Sequence, residues 1–420
     1  MKSPLPAGAR PPGALPPAAL DGVRVLDLSR VLAGPWATQI LADLGAEVVK
    51  IERPGAGDET RAWGPPFLSG KDGEPSDAAY FLCANRNKRS ICVDMAKRDG
   101  QDIIRRLAAK SGIVVENFKR GGLAKYGLDY ESLRKVNPAL VYCSITGFGQ
   151  SGPYADRAGY DYLIQAMSGL MSVTGAPDRE PVKVGVAVSD LFSGLYAAVS
   201  ILAALRHAER TGEGQQIDIS LLDCQMAALA NQAANYLVSG KPPARLGNAH
   251  PNIVPYQVFE TSDGHMVVAV GNDGQFKSFA AAIGAPELAG DARYTTNPAR
   301  VANREALIAT LAPILRRRET ADWIAAFEAA GVPCGPINDI AAAFADRQAK
   351  ERGLRIDLAR EDVGAIPLVR FPGLLSATPA RAEHAPPRLG AHTEEVLAEA
   401  LGLAAEEIAA LRRAGAIGGE

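Results

Sequence analysis

From residue 23 to residue 149, short apolar runs alternate with helical patterns, and this alternation limits the possible folds more than any other feature. VRVLDL (23–28) predicts a strand, Gly34-Pro35 opens a helix over WATQILADLG, and EVVKIE (47–52) predicts the next strand. Parallel neighbours need a crossover connection, and the intervening helix supplies one. The pattern continues with SICVDM (90–95), a helix over QDIIRRLAAKSG, IVVEN (113–117), a short helix over YESLRKV, and LVYCSITGFG (140–149). These strands are near-continuous apolar runs, as expected for a parallel α/β sheet with helices on both faces.

The longest helical signal covers residues 190–209, DLFSGLYAAVSILAALRHAE, with Leu191, Leu195, Val199 and Ala203 at helical spacing. Thr211-Gly212-Glu213-Gly214 ends it, QQIDIS predicts a strand, and an alanine-rich helix follows to about residue 237. At 420 residues the chain exceeds the roughly 250–300 that one core supports, so more than one domain is expected. SGKPPARLGNAHPN (239–252) is a Gly/Pro/Asn-rich connector that marks a boundary. Beyond it, YQVFET and HMVVAV flank Ser262-Asp263-Gly264 as a hairpin. Helices are expected over 275–281, 304–315 and 320–330, then GVPCGPI and an acidic helix after His392. The expected division is a large α/β domain over 20–238, a small α+β domain over 239–345, and a return segment, 346–420, that completes the large one.

Residues 1–19 are rich in proline and alanine without an apolar core, and read as a disordered leader rather than a signal peptide. Charges are expected to interrupt every run approaching the roughly 20 apolar residues of a membrane span, so a soluble chain without a membrane partner is expected. The 45 basic and 47 acidic side chains nearly cancel, which gives no footprint for nucleic acid. Five dispersed cysteines without a CxxC pair read as free thiols in a reducing compartment, here the cytoplasm.

Several chemistries find no support in the motifs. No GxGxxG follows the first strand, where the loop after Glu52 reads RPGAGDETR, and there is no GxxxxGK[ST]. HExxH is absent and the five histidines are scattered, so no metal is expected. Asp190, in VAVSDLFSG directly before the apolar helix, has two readings. As a cap, its carboxylate accepts free backbone N–H groups of the first turn. As a nucleophile, it attacks an activated carbonyl while helix amides, with Ser193 and Gly194 close in sequence, steady the developing charge. Pattern alone leaves both open.

The segments VLDLSRVLAGPWATQILADLGAEVVKIERPGAGDETR, NRNKRSICVDM, VVENFKRGGLAKYGLDY, SITGFGQSGPYADRAGYDYLIQAMSGL and TGEGQQIDISLLD closely resemble the class III coenzyme A transferases. That family includes the formyl-CoA and carnitine-related CoA transferases, and the likeness runs from about residue 21 to residue 401. It implies a Rossmann-like large domain with a small α+β domain, two chains threaded into an interlocked homodimer, and CoA thioesters as substrates with no permanently bound cofactor. It also implies that Asp190 is the catalytic aspartate. Leu32 and Ala33 match positions beside the CoA site, and Arg53 matches an arginine on the nucleotide part of CoA. Val93, Asp94, Met95 and Ala96, with Asn117, Phe118 and Lys119, align with segments lining the nucleotide. Lys125 stands where the formyl branch has an arginine, and a lysine keeps the charge but loses the fork. Tyr160 and Asp161 match positions near the pantetheine arm and active centre.

Leu32 replaces a glutamine that the formyl branch places near the reacting acyl group. GNAHPNIVPYQVFETSDG and VGNDGQF are similar instead to the succinyl-CoA–glutarate branch, which implies small dicarboxylic acids. His250 and Tyr256 then become substrate-side candidates, against the alternative of a structural histidine in a Gly/Pro loop. Gly271 and Gly274 are candidates for a glycine-rich loop over the intermediate, against a plain strand-to-helix turn. Two rivals remain. An acyl-CoA racemase of the same fold uses a histidine where this chain has Tyr160, and tyrosine is a poor base near neutrality. A non-catalytic CoA-ester binding protein would need Asp190 only as a cap.

Overall fold

A computed structural model describes residues 17–71 and 73–419, so most of the expected leader lies outside the described residues. Its last positions do not behave as a disordered leader. Ala18 is buried, its N–H donates to Asp21 Oδ2 at 2.8 Å, and the Leu20 N–H reaches Leu44 O at 2.9 Å. Leu20 joins the core beside Leu41 and Ala46, so the ordered chain begins ahead of Val23.

The central sheet has six strands: β1 (Arg24–Asp27), β2 (Glu47–Glu52), β3 (Lys88–Cys92), β4 (Ile113–Glu116), β5 (Val141–Thr146) and β6 (Gln215–Ser220). All pairings are parallel, and the spatial order is β3-β2-β1-β4-β5-β6. This is the doubly wound Rossmann order, with a reversal between β1 and β4. Successive strand residues enter opposite cores. Val25, Val48, Ile113 and Val115 face one core, while Leu26, Val49, Ile51 and Val114 face the other. Both faces are buried, which is why the strands read as continuous apolar runs.

Helix α1 (Ala33–Asp43) and helix α2 (Val188–Thr211) cover the first face, where Ala37 and Leu41 join Ala197, Ile201 and Ala204. A Cβ at Gly194 would stand 2.7 Å from Ala33 O and 3.0 Å from Trp36 Cδ1, so glycine is needed where these helices meet. At 24 residues α2 is long and apolar enough to cross a membrane, which corrects the expectation that charges break every such run. The stretch from Leu191 to Leu205 carries no charge. Its small side chains are instead spent on packing against α1. On the opposite face, Ile103, Ile104 and Leu107 pack with Val396, Leu397 and Ile408 from the end of the chain.

The chain divides into two compact units. One comprises the chain up to Ser168, Gly185–Ala230 and the chain from Glu351 onward, and the other comprises Gly169–Val184 and Asn231–Lys350. The second unit therefore takes in a segment before α2 that the sequence division had left in the first. It contains an antiparallel sheet of Tyr256–Glu260, His265–Ala269 and Cys334–Pro336, with Phe259, Phe279, Leu311, Trp323 and Phe327 in its core.

Candidate active site

Two adjoining cavities open where loops leave the carboxyl ends of the central strands. The first, about 210 Å³, is lined by Leu32 and Ala33 after β1, Asn117 to Arg120 after β4, Gly147 after β5, and by Trp63, Tyr160 and Asp190. The second, about 330 Å³, is lined by Arg53 after β2, Val93 to Ala96 after β3, and Gly57 and Asp58. Arg30 and Phe118 border both, with the guanidinium carbon 5.2 Å from the ring centroid. They leave β1 and β4, the two strands between which the order reverses, where a doubly wound sheet offers its crevice.

Buried charge holds the β1 loop. Val31 has φ 69°, which a β-branched residue adopts only when its surroundings enforce it. Asn117 clamps the preceding residue, its Oδ1 accepting the Arg30 N–H at 2.9 Å while its Nδ2 donates to Arg30 O at 2.6 Å. The Val31 N–H points at both oxygens of Asp58, at 3.3 and 3.2 Å. Burial alone would raise the Asp58 carboxyl, but Lys50 at 2.9 Å and the Thr60 amide bring it to about 2. The loop is thus tied to an anion that stays ionised. Glu59 in turn pairs with Arg30.

Asp190 is the third residue of α2, not its cap. The helix begins at Val188, and the Ser189 N–H is taken by Asp161 Oδ1 at 2.9 Å. Among the described hydrogen bonds, the Asp190 carboxylate accepts none from the helix amides. It is half-buried at the cavity wall, and burial followed by the charge of Asp161 raises it to about 7. Tyr80 is pushed up to about 12 by burial and then by the charge of Asp190. Chain crossings narrow the cavity floor. A Cβ on Gly147 would lie 2.6 Å from Gly159 Cα, so two glycines are required there.

A strand-end crevice with an uncapped carboxylate at one end and an arginine at the other suits an elongated acyl thioester, and comparison with known proteins gives it a family. The description of CoA-transferase family III fits residues 20–393. The chain belongs to CoA-transferase family III. The succinate–glutarate CoA-transferase of Agrobacterium fabrum is 56% identical over 380 residues, which cover 90% of this chain and 95% of that protein. The human succinyl-CoA:glutarate CoA-transferase is 45% identical over 402 residues, covering 95% and 90%. A crystal structure of a CAIB/BAIF family protein from Brucella suis is 52% identical with a TM-score of 0.81, covering 91% of this chain and 100% of that one. As a family III CoA-transferase, the protein moves coenzyme A between an acyl-CoA and a carboxylic acid.

Most residues implied by the resemblance to family III come together in these cavities. Leu32, Ala33, Asn117, Phe118, Lys119, Tyr160 and Asp190 line the first, and Arg53, Val93, Asp94, Met95, Ala96 and again Phe118 line the second. Two do not. Lys125 is exposed outside both, its Nζ 4.7 Å from the Tyr126 ring, because the turn after Leu123 carries it away from the strand ends. Asp161 lines neither, and its two oxygens accept instead from the Ser189 N–H and Gln165 Nε2.

The substrate-side candidates lie in the second unit. His250 packs against Tyr256 with centroids 5.2 Å apart, and its Nδ1 accepts the Asn252 N–H at 3.0 Å. Gly271 and Gly274 belong to the turn entering the Asp273–Ala282 helix. There Gly271 N–H donates to Gln275 Oε1 at 2.8 Å and Asn272 caps the helix, which is the plain strand-to-helix turn. Sequence reasoning missed Arg30, Trp63, Arg120 and Arg157 around the first cavity. Arg30 had a usable signal, since it follows the first strand by three residues. Arg157, over the Tyr154 ring at 4.5 Å, is brought in only by the fold.

Proposed function

We propose that the enzyme transfers coenzyme A from succinyl-CoA to a small dicarboxylic acid, with Asp190 as the nucleophile. The observation that carries this reading is the half-buried Asp190 carboxylate, which caps no helix amide among the described hydrogen bonds and lines a crevice continuing past Arg30 and Phe118 to Arg53. Arg30, Lys119, Arg120 and Arg157 give that crevice a cationic rim suited to phosphates, each charge-assisted bond contributing about 1.5–3 kcal/mol.

In the proposed sequence, the ionised Asp190 attacks the thioester carbonyl. The carbon–sulfur bond breaks, leaving a mixed anhydride and CoA thiolate. The thiolate attacks the aspartyl carbonyl of the anhydride, releasing the donor acid as its carboxylate and leaving an aspartyl–CoA thioester. The acceptor carboxylate attacks that thioester, breaking its carbon–sulfur bond to form a second anhydride and free CoA thiolate again. The thiolate then takes the acceptor acyl group and Asp190 leaves as carboxylate. Each step exchanges one acyl bond for another, so no outside energy source is required. A weak nucleophile succeeds here only if held in contact with the carbonyl and away from water.

The acids are inferred from the succinate and glutarate named for the relatives and from the apolar Leu32 in the wall. With succinyl-CoA as donor, we expect mass spectrometry of product thioesters to show fastest turnover for acceptors of four to six carbons with two carboxylates. Formyl-CoA with oxalate turning over faster than succinyl-CoA with any dicarboxylate would overturn this choice.

The reading also includes a second copy of the chain. Phe192, Leu195, Tyr196 and Val199 recur at i, i+3, i+4 and i+7 along α2, and each is more than a third exposed in the single chain. Tyr162 and Met167 on the neighbouring Asp161–Met167 helix are exposed as well, and a contiguous apolar surface of this kind calls for a partner. We expect sedimentation at low micromolar concentration to give only the dimer. A stable, active monomer would be the contrary result.

A further inference from the structure

We propose that Asp161 is a positioning residue, whose carboxylate fixes the first turn of the Asp190 helix and sets the charge state from which Asp190 reacts. The inference rests on Asp190 as the nucleophile and changes the role that the family resemblance implied for Asp161. Asp161 Oδ1 accepts the N–H of Ser189, one residue before Asp190, at 2.9 Å. Its Oδ2 accepts Gln165 Nε2 at 2.7 Å, and the same amide reaches Val186 O at 3.3 Å, just ahead of the helix. Gln165 and Ser189 are both fully buried, and Ser189 Oγ donates to Gln225 Oε1 at 2.9 Å. Asp161 thus anchors a set of amide hydrogen bonds around the first turn of α2.

The donors to Asp161 are neutral, and no ion pair of Asp161 occurs among the described residues. Its charge is therefore not cancelled by a cation in contact. A like charge beside a carboxylate disfavours ionisation and raises basicity. It also favours the acylated Asp190, which is neutral, over the anion. A more basic carboxylate is the stronger nucleophile once ionised. Other charged or titratable groups surround Asp190. Arg30, Lys119, Arg120, Arg157 and Glu59 line the same cavity as Asp190, and Tyr80 lies within range of its charge; of the elements packed against α2, the Leu221–Ala228 helix carries Asp223 and Cys224 and β6 carries Asp218. Beside burial, the charge that acts on Asp190 is that of Asp161. Glu116, which burial raises to about 7 against hydrogen bonds from Ser144 and the Phe118 amide, titrates in the same range, and Asp161 is not among the groups that shift it.

The test compares pH profiles of kcat/KM for the CoA ester in the wild type, Asp161→Asn and Asp161→Ala, with Asp190→Asn assayed alongside. Asparagine keeps an acceptor for the Ser189 N–H but loses the charge and sets its Nδ2 donor against Gln165 Nε2, whereas alanine loses both acceptors. Asp161→Asn is expected to melt between the wild type and Asp161→Ala and to move the acid limb of the profile down by about one pH unit. At pH 8 its kcat should fall several-fold with little change in KM. Asp161→Ala should lower kcat further and melt earlier. An acid limb of Asp161→Asn that coincides with the wild type overturns the inference, even if Asp161→Ala is impaired, because the role would then be structural only. If Asp190→Asn is dead in that case, the nucleophile survives and only the role of Asp161 falls. If Asp190→Asn turns over normally, both readings fall.

Discussion

Asp190→Asn is expected to abolish CoA transfer, by on the order of 10⁴-fold or more in kcat, in a protein that still folds and binds CoA esters. A neutral amide cannot form the anhydride or the aspartyl thioester. The fold should tolerate the change because Asp190 accepts no helix amide among the described hydrogen bonds, and the first turn is held by Asp161 instead. Stability should even improve at neutral and alkaline pH. Burial and then Asp161 raise the folded Asp190 to about 7, from an ordinary value of 3.8. A carboxyl raised on folding is harmless below pH 4, and the stability it permits is lost as pH rises through 7. Asparagine never ionises and escapes that loss. The variant should therefore melt like the wild type near pH 4 and later than it at pH 8, by on the order of 1–3 kcal/mol after allowing for solvent at the open wall. The buried Glu116 titrates in both proteins, so the difference between them isolates Asp190. Intact-mass analysis after acyl-CoA and hydroxylamine should find a wild-type adduct and none on the variant. Normal turnover by the variant, with deamidation excluded by peptide mapping, would end the proposed mechanism.

The sheet was legible in the sequence because both its faces are buried. Val25 and Leu26, or Val48 and Val49, serve opposite cores, so each strand stands out as an unbroken apolar run. Edges were less clear where a charge lies inside. SICVDM suggested a strand from residue 90, yet β3 begins at Lys88, a residue that looks like a polar flank but is fully buried in an ion pair with Asp27. The antiparallel pair Arg355–Arg360 and Gly364–Val369 gave little warning, since only Ile356 and Leu358 alternate with charge in the first strand and Pro367 interrupts the second. Cavity residues that follow strands directly, such as Arg53 and Asn117, came from local sequence likeness. What stayed hidden depends on distant contact. The Asp161–Ser189 bond spans 28 positions and the Lys88–Asp27 pair spans 61. No local pattern distinguishes such a carboxylate from one solvated on the surface.

Asp27→Ala is expected to be the most damaging of the simple stability substitutions, at about 3–5 kcal/mol. Asp27 closes β1 with no exposed surface, and its oxygens take Lys88 Nζ at 3.1 Å, Thr38 Oγ1 at 2.6 Å and the Ser29 N–H at 2.9 Å. Burial opposes its charge, but Lys88 and Lys50 win and hold the carboxyl below its ordinary range. Burial likewise pulls Lys88 down to about 8 despite Asp27. Without the carboxylate, Lys88 keeps only neutral acceptors, Pro35 O and Asn85 Oδ1, both at 2.9 Å. A buried ammonium without its anion then falls further below its unfolded value and sheds its proton more readily. Because the unfolded chain binds that proton more tightly, the variant should regain stability as pH rises from 7 towards 10, a trend opposite to that produced by Asp190. Urea unfolding of the large unit should show a lower midpoint at unchanged slope. Asp27→Ala combined with Lys88→Met should recover much of the loss, since an apolar pair replaces the stranded charge. The consequence for the site is direct, because Ser29 and Pro35 flank the Arg30–Leu32 loop that walls both cavities. A single variant within 1 kcal/mol of the wild type would show that solvent or another anion neutralises Lys88, and that the loop does not depend on this pair.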